Sequence, residues 1–282
     1  MTIEKKWEQL LSLLREMKLA VIAFSGGVDS SLLLAAASEA MGPNLIAVTA
    51  VSETYPPGEL VHAREFARTL GVRHRVLPTH ELANGSFLLT TPDRCYHCKK
   101  ELFAKLRHIA ELEGIAFILD GSNRDDLADH RPGRRAAEEF SVRSPLVEAG
   151  LTKAEVRELA RVRNLPVWDK PSLACLSSRI PYGTRITQEL LRTIHAAENV
   201  LHAKGFRQVR VRHHGETARI EIEREEFGKL FSDGSLPEII SSIKELGYRY
   251  VCLDLEGYRT RSMNEMIQET GVRRQESEVG TS

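Results

Sequence analysis

The sequence predicts an α/β protein: a doubly wound, mostly parallel sheet followed by a smaller α+β domain. Three observations predict it. Short apolar runs alternate with helix-periodic segments through residues 19–163, the pattern of parallel strands joined by crossover helices. After Pro166 the texture changes to a breaker-rich stretch without a period, unusually long for a compact domain. Beyond it, period-two alternation flanks His213-His-Gly-Glu-Thr217, as in an antiparallel pair with one polar face.

In chain order, residues 1–18 are charged and helix-periodic, so they read as a helix and not as a signal peptide. Residues 19–24 form a short apolar run expected to be a buried strand, followed by a helix at 31–40 and a second strand at 45–51. Pro56-Pro57 and Gly71 bracket a helix over 57–70. Residues 72–77 and 115–119 complete the strands, with a helix over 99–112 between them. Thr152-Lys-Ala-Glu155 is a capping box opening a helix to about residue 163. Residues 167–182 read as a loop, 187–204 as a helix, and 209–211 with 220–222 as the antiparallel pair. These readings divide the chain at 1–183 and 184–268, with a frayed, disordered tail at 269–282.

Composition bounds the function classes. With 42% hydrophobic and 28% charged residues, the 282-residue chain is too apolar to be disordered and long enough for two cores. Its 39 basic and 39 acidic residues cancel, which argues against a general nucleic-acid binder. No apolar run approaches the roughly 18 residues of a membrane span. Four cysteines without an export signal point to the reducing cytoplasm.

The first chemistry-bearing string is Ser25-Gly-Gly-Val-Asp-Ser30, between a strand and a helix. Gly26 and Gly27 lack the Cβ atoms that would hold backbone N–H groups off a phosphate. The helix that follows adds the positive end of its dipole. Ser25, Ser30 and Ser31 can donate hydroxyl hydrogen bonds to phosphate oxygens. Asp29 is expected to accept backbone N–H bonds or to ligate Mg²⁺. No Gly-x4-Gly-Lys-Ser/Thr string occurs, so the P-loop lysine is missing. A second string, Asp120-Gly-Ser-Asn-Arg-Asp-Asp126, follows the strand at 115–119 and is expected to face the first loop at the carboxyl edge of the sheet. Asn123 and Asp126, with Asp125 beside them, would contact nucleotide or Mg²⁺ there. An Asn/Asp-rich helix cap is the plainer reading of that string alone.

Cys95-Tyr-His-Cys98 brings two thiols close enough to share a metal, and Cys175 follows in the breaker-rich loop. Cys252 lies in an apolar strand and reads as core. The Cys-x-x-Cys unit is open to three readings: a redox pair, a zinc half-site or a structural feature. Zinc would want four protein ligands, and His97 could supply one only under strain. Three thiolates suit a [4Fe–4S] cluster with one iron left open. Sulfide on that iron would tie the cysteines to the nucleotide loop, since adenylation activates a carbon and sulfide can then displace the adenylate. Arg210 and Arg212 project from one strand face and Arg179 follows Cys175 closely; guanidinium forks bind phosphate bidentately. Cross-strand pairing with glutamates on a solvated face is the alternative.

The six-residue loop resembles the PP-loop of the ATP pyrophosphatase superfamily, which includes GMP synthetases, argininosuccinate synthetases and tRNA thiolases. That implies a Rossmann-like domain that uses ATP with pyrophosphate as leaving group. The 120–126 string resembles the Gly-Thr/Ser-Asn-x-x-Asp segment of the same enzymes. Lys170-Pro-Ser-Leu-Ala-Cys-Leu-Ser-Ser-Arg-Ile-Pro-Tyr-Gly183, taken with these and with Arg210-Val-Arg212, resembles the LarE family of ATP-dependent sulfur transferases over residues 15–260. The resemblance implies adenylation of a carboxylate of pyridinium-3,5-biscarboxylic acid mononucleotide and its conversion to a thiocarboxylate, toward the nickel-pincer nucleotide cofactor of lactate racemase.

One variant of that family spends the sulfur of a single cysteine, matching Cys175, which becomes dehydroalanine. The other adds a Cys-x-x-Cys and holds an iron–sulfur cluster that delivers sulfide. Cys95, Cys98 and Cys175 match the second. The resemblance further implies catalytic roles for Cys175, Asp29 and Arg179, an acceptor-phosphate site at Arg179, Arg210 and Arg212, a divalent-cation site near Glu198 and Glu221, and ATP, Mg²⁺ and a [4Fe–4S] cluster as cofactors. Implied partners are a small nucleotide acceptor, other cofactor-assembly enzymes in passing and further copies of the chain, with neither membrane nor nucleic acid. Among competing functions, a tRNA thiolase could use the same three cysteines but needs a basic RNA platform. A non-sulfur amidotransferase leaves the cysteines unexplained, and a silent nucleotide sensor has no use for the complete loop.

Overall fold

The computed structural model describes residues 1–259 except 56–57, 84, 89–90, 92, 129–131, 172–173 and 233. The expected tail at 269–282 and the Pro56-Pro57 helix start lie outside the described residues. The chain forms two compact units, residues 1–87 with 93–173, and residues 88–92 with 174 onward. Whereas the texture of the sequence puts the change near residue 183, a 3-10 turn at Leu176–Arg179 packs on elements of the second unit and draws residues 174–183 into it.

The first unit holds α1 (Ile3–Met17), β1 (Ala20–Ala23), α2 (Val28–Met41), β2 (Leu45–Val51), α3 (Glu59–Thr69) and β3 (Arg73–Pro78). After these come α4 (Gly85–Leu88, whose last residue counts with the second unit), α5 (Arg94–Leu112), β4 (Phe117–Leu119), α6 (Pro132–Glu139), α7 (Pro145–Glu148) and α8 (Lys153–Val162). The four strands pair in parallel in the order β3-β2-β1-β4. Alternate strand residues feed two separate cores. Ala20, Ile22, Leu45 and Ala47 pack with α1, α2, α3 and α8, while Val21, Ile46, Val48 and Ile118 pack with α5 and α6. The sheet is therefore covered on both faces, which is why its strands read as unbroken apolar runs.

Helix α1 is held by Trp7, Leu10, Leu11, Leu14 and Met17, all on one face. Burying each leucine of that set contributes roughly 1.5–3 kcal/mol. Lys6 on the same helix donates to Gly150 O at 2.8 Å and pairs with Glu155 at 2.7 Å. Glu155 is also the third residue of the capping box on Thr152, which is present as expected. Because β1 leads outward to β2 and β3 and the chain then returns to β4, the order of strands reverses between β1 and β4. Loops at the carboxyl ends of these two strands frame a crevice where α/β sheets bind ligands.

The second unit holds α9 (Gln188–Ala203), β5 (Val209–His214), β6 (Thr217–Ile222), α10 (Phe227–Ser232), α11 (Leu236–Glu245) and β7 (Tyr250–Leu253). β5 and β6 are antiparallel across Gly215-Glu216, and β7 adds parallel to β6 at the edge. Val209, Val211, Ala218, Ile220 and Ile222 pack with Ala197 and Leu201 of α9 and Ile239 and Ile243 of α11. The opposite, polar face is not solvated as the alternation alone suggests: Arg210, Arg212 and Glu221 are buried. Cys252 is corrected in the other direction. It is exposed, because Val251 and Leu253 take the inward positions of edge strand β7. Among the described residues, no helix is long and apolar enough to cross a membrane.

Burial holds the imidazoles of His74, His195, His213 and His214 below their ordinary value of 6.5. His74 illustrates the cause. Its Nε2 lies 2.8 Å from Thr49 Oγ1, which itself donates to Phe24 O at 2.7 Å, and burial first, then the charge of Arg64, disfavours the imidazolium there. A base whose folded pKa is depressed stabilises the fold above its unfolded pKa and loses that contribution as pH falls. The thermal midpoint is therefore expected to drop between about pH 7 and about pH 5.5, and His74→Asn should flatten the slope. A midpoint that stays level or rises over that interval contradicts the assignment.

Candidate functional site

The loop between β1 and α2 is built by its glycines. Gly26 sits at φ +75°, and a Cβ there would come within 3.3 Å of Ala63 Cβ on α3. Gly27 is the extended residue before the helix and offers no capping side chain, so the first backbone N–H groups of α2 are left to the loop itself. Ser30 closes the turn. Its hydroxyl donates to Gly27 O at 3.1 Å, accepts from Ser25 N at 3.3 Å and lies 3.2 Å from Ser25 Oγ. Ser25 is exposed and Ser30 buried beneath it, while Ser31 is fully buried on the core side, its Oγ without a partner.

Asp29 departs from the expectation of backbone partners. Its Oδ1 accepts from Asn123 Nδ2 at 3.0 Å and its Oδ2 from Lys153 Nζ at the start of α8. The 120–126 segment therefore meets the loop, as the carboxyl-edge argument requires. Asn123 is buried and its N–H donates to Asp126 at 3.0 Å. Asp125 instead accepts from the backbone of Lys153 at 2.9 Å and caps that helix. Asp120, also buried, ties the segment to Ser122 and Ser144.

Four contributors escape the sequence reading. A Cβ on Gly121 would lie 2.8 Å from Ser30 N and 2.9 Å from Ser30 Cα, so only glycine lets the two loops touch. Lys153 reads locally as the first residue of a capped helix, and only the fold shows that its ammonium neutralises Asp29. Lys170 donates to Gly26 O at 3.2 Å and pairs with Glu59 of α3 at 2.5 Å, holding the loop from its other side. Tyr55 adds a bond to Ser25 O at 3.0 Å, and burial followed by the charge of Glu59 pushes its phenol pKa up.

Cys95 and Cys98 lie in the first turn of α5, which begins five residues earlier than its periodicity indicates. The i, i+3 spacing puts both thiols on one face, Cys95 exposed and Cys98 partly so. Cys98 Sγ is 3.5 Å from Oε1 of Glu81, a buried carboxylate whose Oε1 also accepts from Thr79 at 3.1 Å. His97 turns to the Tyr96 ring, with centroids 5.3 Å apart.

In the second unit Cys175 is the exposed start of the buried turn Leu176–Arg179, and its Sγ lies 3.0 Å from Ser177 Oγ. Arg179 forms a two-bond pair with Glu198 of α9 at 2.8 and 2.9 Å, and Arg212 forms the same pair with Glu221 at 3.0 and 2.8 Å. Glu198 also accepts from Val211 N at 3.0 Å. Burial works to raise the Glu198 pKa, but Arg179 outweighs it and the carboxyl is held below its usual range. Arg210 crosses the Tyr258 ring at 5.4 Å; burial first, and Arg179 next, press its guanidinium down to about 10. The structure thus gathers all five predicted Arg and Glu residues beside the Cys175 turn. Among the described residues, however, no three His, Cys, Asp or Glu side chains come together in a metal-holding group.

Known proteins resemble this chain over nearly its whole length. Residues 15–108, which carry the loop and the Cys-x-x-Cys, match the family described as asparagine synthase. An uncharacterised protein of Synechocystis is 42% identical over 94% of this chain and 99% of its own length. The pyridinium-3,5-bisthiocarboxylic acid mononucleotide synthase of Lactiplantibacillus plantarum is 37% identical over 94% of this chain and 96% of its own. An uncharacterised protein of Methanocaldococcus jannaschii is 32% identical over 92% and 100%.

Proposed function

The chain belongs to the LarE family of ATP-dependent, PP-loop sulfur transferases, and from that premise we propose that it adenylates a carboxylate of pyridinium-3,5-biscarboxylic acid mononucleotide and exchanges AMP for sulfur. The observation that carries the reading is the contact of the Ser25–Ser30 loop with Asn123 through Asp29 at the strand-order reversal. The loop offers backbone N–H groups, the uncapped start of α2 and the Ser25 hydroxyl to a pyrophosphate, and contains no P-loop lysine. ATP enters as its Mg²⁺ complex. Asp29 is the carboxylate nearest the pyrophosphate loop and is kept in place by Lys153 and Asn123.

For the sulfur step, the donor chemistry of the three thiols fits a [4Fe–4S] cluster. None is in a disulfide, and Cys95 and Cys98 share one face of α5. Bound by Cys95, Cys98 and Cys175, such a cluster would supply sulfide to the adenylated carbon. The chain's own residues present the thiols and hold the acceptor. Arg179, Arg210 and Arg212 gather beside Cys175, and guanidinium forks of this kind suit the acceptor's phosphate.

The test is product analysis with anaerobically purified protein, Mg-ATP and the biscarboxylic mononucleotide. AMP, pyrophosphate and an acceptor heavier by sulfur in place of oxygen are expected. ADP and phosphate as the main products, or transfer to bulk tRNA in place of the mononucleotide, would overturn the proposal.

A further inference from the structure

We propose that Arg179 and Arg212 are positioning residues that clamp the Cys175 turn from two sides, each mounted on a buried glutamate. Cys175 is exposed while Leu176, Ser177, Arg179 and Ile180 around it are buried, so the cysteine stands at the rim of a packed turn. Arg179 Nη1 donates to the carbonyls of Ala174 at 2.7 Å and Cys175 at 3.0 Å. Arg212 Nη1 donates to Ser178 O at 2.8 Å. The remaining edge of each guanidinium lies on Glu198 or Glu221, at 5% and 0% exposure. Glu198 is itself pinned by Val211 N, and Glu221 sits in β6 opposite Arg210 in the ladder. The two carboxylates are thus fixed to helix and sheet, and the arginines transmit that rigidity to the carbonyls of Ala174, Cys175 and Ser178.

Charge pairing alone would not need these carbonyl bonds. A guanidinium can stabilise a buried carboxylate without touching a loop, and Arg219 does so here, pairing with Glu221 at 3.1 Å and with Asp254 at 3.6 Å. What distinguishes Arg179 and Arg212 is the third edge, aimed at the backbone that carries the cysteine. A planar guanidinium can hold a carboxylate by two parallel bonds on one edge and carbonyls on another in a fixed plane, whereas lysine offers a point charge without that rigid geometry. The Ser177 hydroxyl, fully buried beside Sγ, then orients the side chain on the held backbone. This reading takes Cys175 as the working residue of the proposed sulfur transfer and otherwise stands independently of it.

The experiment is hydrogen exchange, resolved to the amides of Ser178 and Ile180, on the full chain without acceptor. Both amides are bonded inside the turn, to Cys175 O at 2.9 Å and Ser177 O at 3.1 Å. In Arg212→Met their exchange should rise by about tenfold relative to the β5–β6 ladder, an opening lower by about 1.4 kcal/mol. Glu221 keeps Arg219 in that variant. Arg219→Met, which removes the other pair to the same carboxylate, should leave the turn as it is. Should Arg212→Met not fold, Arg212→Lys keeps the charge without the fork and should give the same rise. Unchanged turn exchange in a folded Arg212 variant, or an equal rise in Arg219→Met, overturns the clamp. Because neither acceptor nor cluster takes part, a failure of the sulfur-transfer proposal leaves this measurement standing, and the converse holds as well.

Discussion

Cys175→Ala is expected to abolish thiocarboxylate formation, by at least about a thousandfold, while cleavage of ATP to AMP and pyrophosphate continues at a measurable rate. The expectation follows from where the parts lie. The loop at Ser25–Ser30 and its partners Asn123 and Lys153 belong to the first compact unit, whereas Cys175 and its mount belong to the second. Removing one exposed sulfur costs little folding energy, so the loss is chemical. Under the cluster proposal, anaerobic protein carries near four irons per chain, and alanine at Cys95, Cys98 or Cys175 removes them while Cys252→Ala does not. The exposed edge-strand position of Cys252 makes it a fair control. Dehydroalanine at position 175 after turnover, in protein that never held iron, would replace the cluster with a sacrificial cysteine. Full thiocarboxylate formation by Cys175→Ala would sink both.

Gly121→Ala should weaken ATP binding by about ten- to a hundredfold, a large effect for one methyl group. Its Cβ would stand 2.8 Å from Ser30 N, 2.9 Å from Ser30 Cα and 3.2 Å from Asp29 C, all backbone atoms of the first turn of α2. No rotamer relieves a backbone clash, so the phosphate loop and the 120–126 segment must separate, at a cost of about 1–3 kcal/mol. Separation also lengthens the Asn123–Asp29 bond that sets the carboxylate. Gly228→Ala serves as the comparison, since nothing lies within 4 Å of its added Cβ. Calorimetric titration with Mg-ATP reads the difference. Equal affinities in Gly121→Ala and the parent chain would show that the contact between the two loops does not shape the nucleotide site.

The two units differ in how openly their sequence states their structure. Strands β1 and β2 are apolar throughout because both faces are covered, and that burial is visible as an unbroken run. The hairpin of β5 and β6 alternates, which correctly announces its geometry but misstates its surroundings. Arg210, Arg212 and Glu221 have the composition of a wet face and are buried. The start of α5 was also hidden: Arg94-Cys-Tyr-His-Cys98 has no apolar period of its own, so the helix that carries the two thiols shows only from residue 99 onward.

What the sequence by itself determined is therefore the local part: the parallel sheet, the glycine-serine loop, the capping box on Thr152 and the family to which the chain belongs. The loop, the cap and each strand are encoded in residues within about one turn or one strand of each other, where backbone geometry and side-chain period leave few alternatives, and the family is carried by several such short strings. Only the tertiary structure decided that Lys153 answers Asp29, that Gly121 must be bare, and that Arg179 and Arg212 are committed to Glu198, Glu221 and the Cys175 turn. In each of these cases the deciding partner lies elsewhere along the chain. A charge or a missing Cβ carries no sign of that partner until packing brings the two together and water is removed from between them.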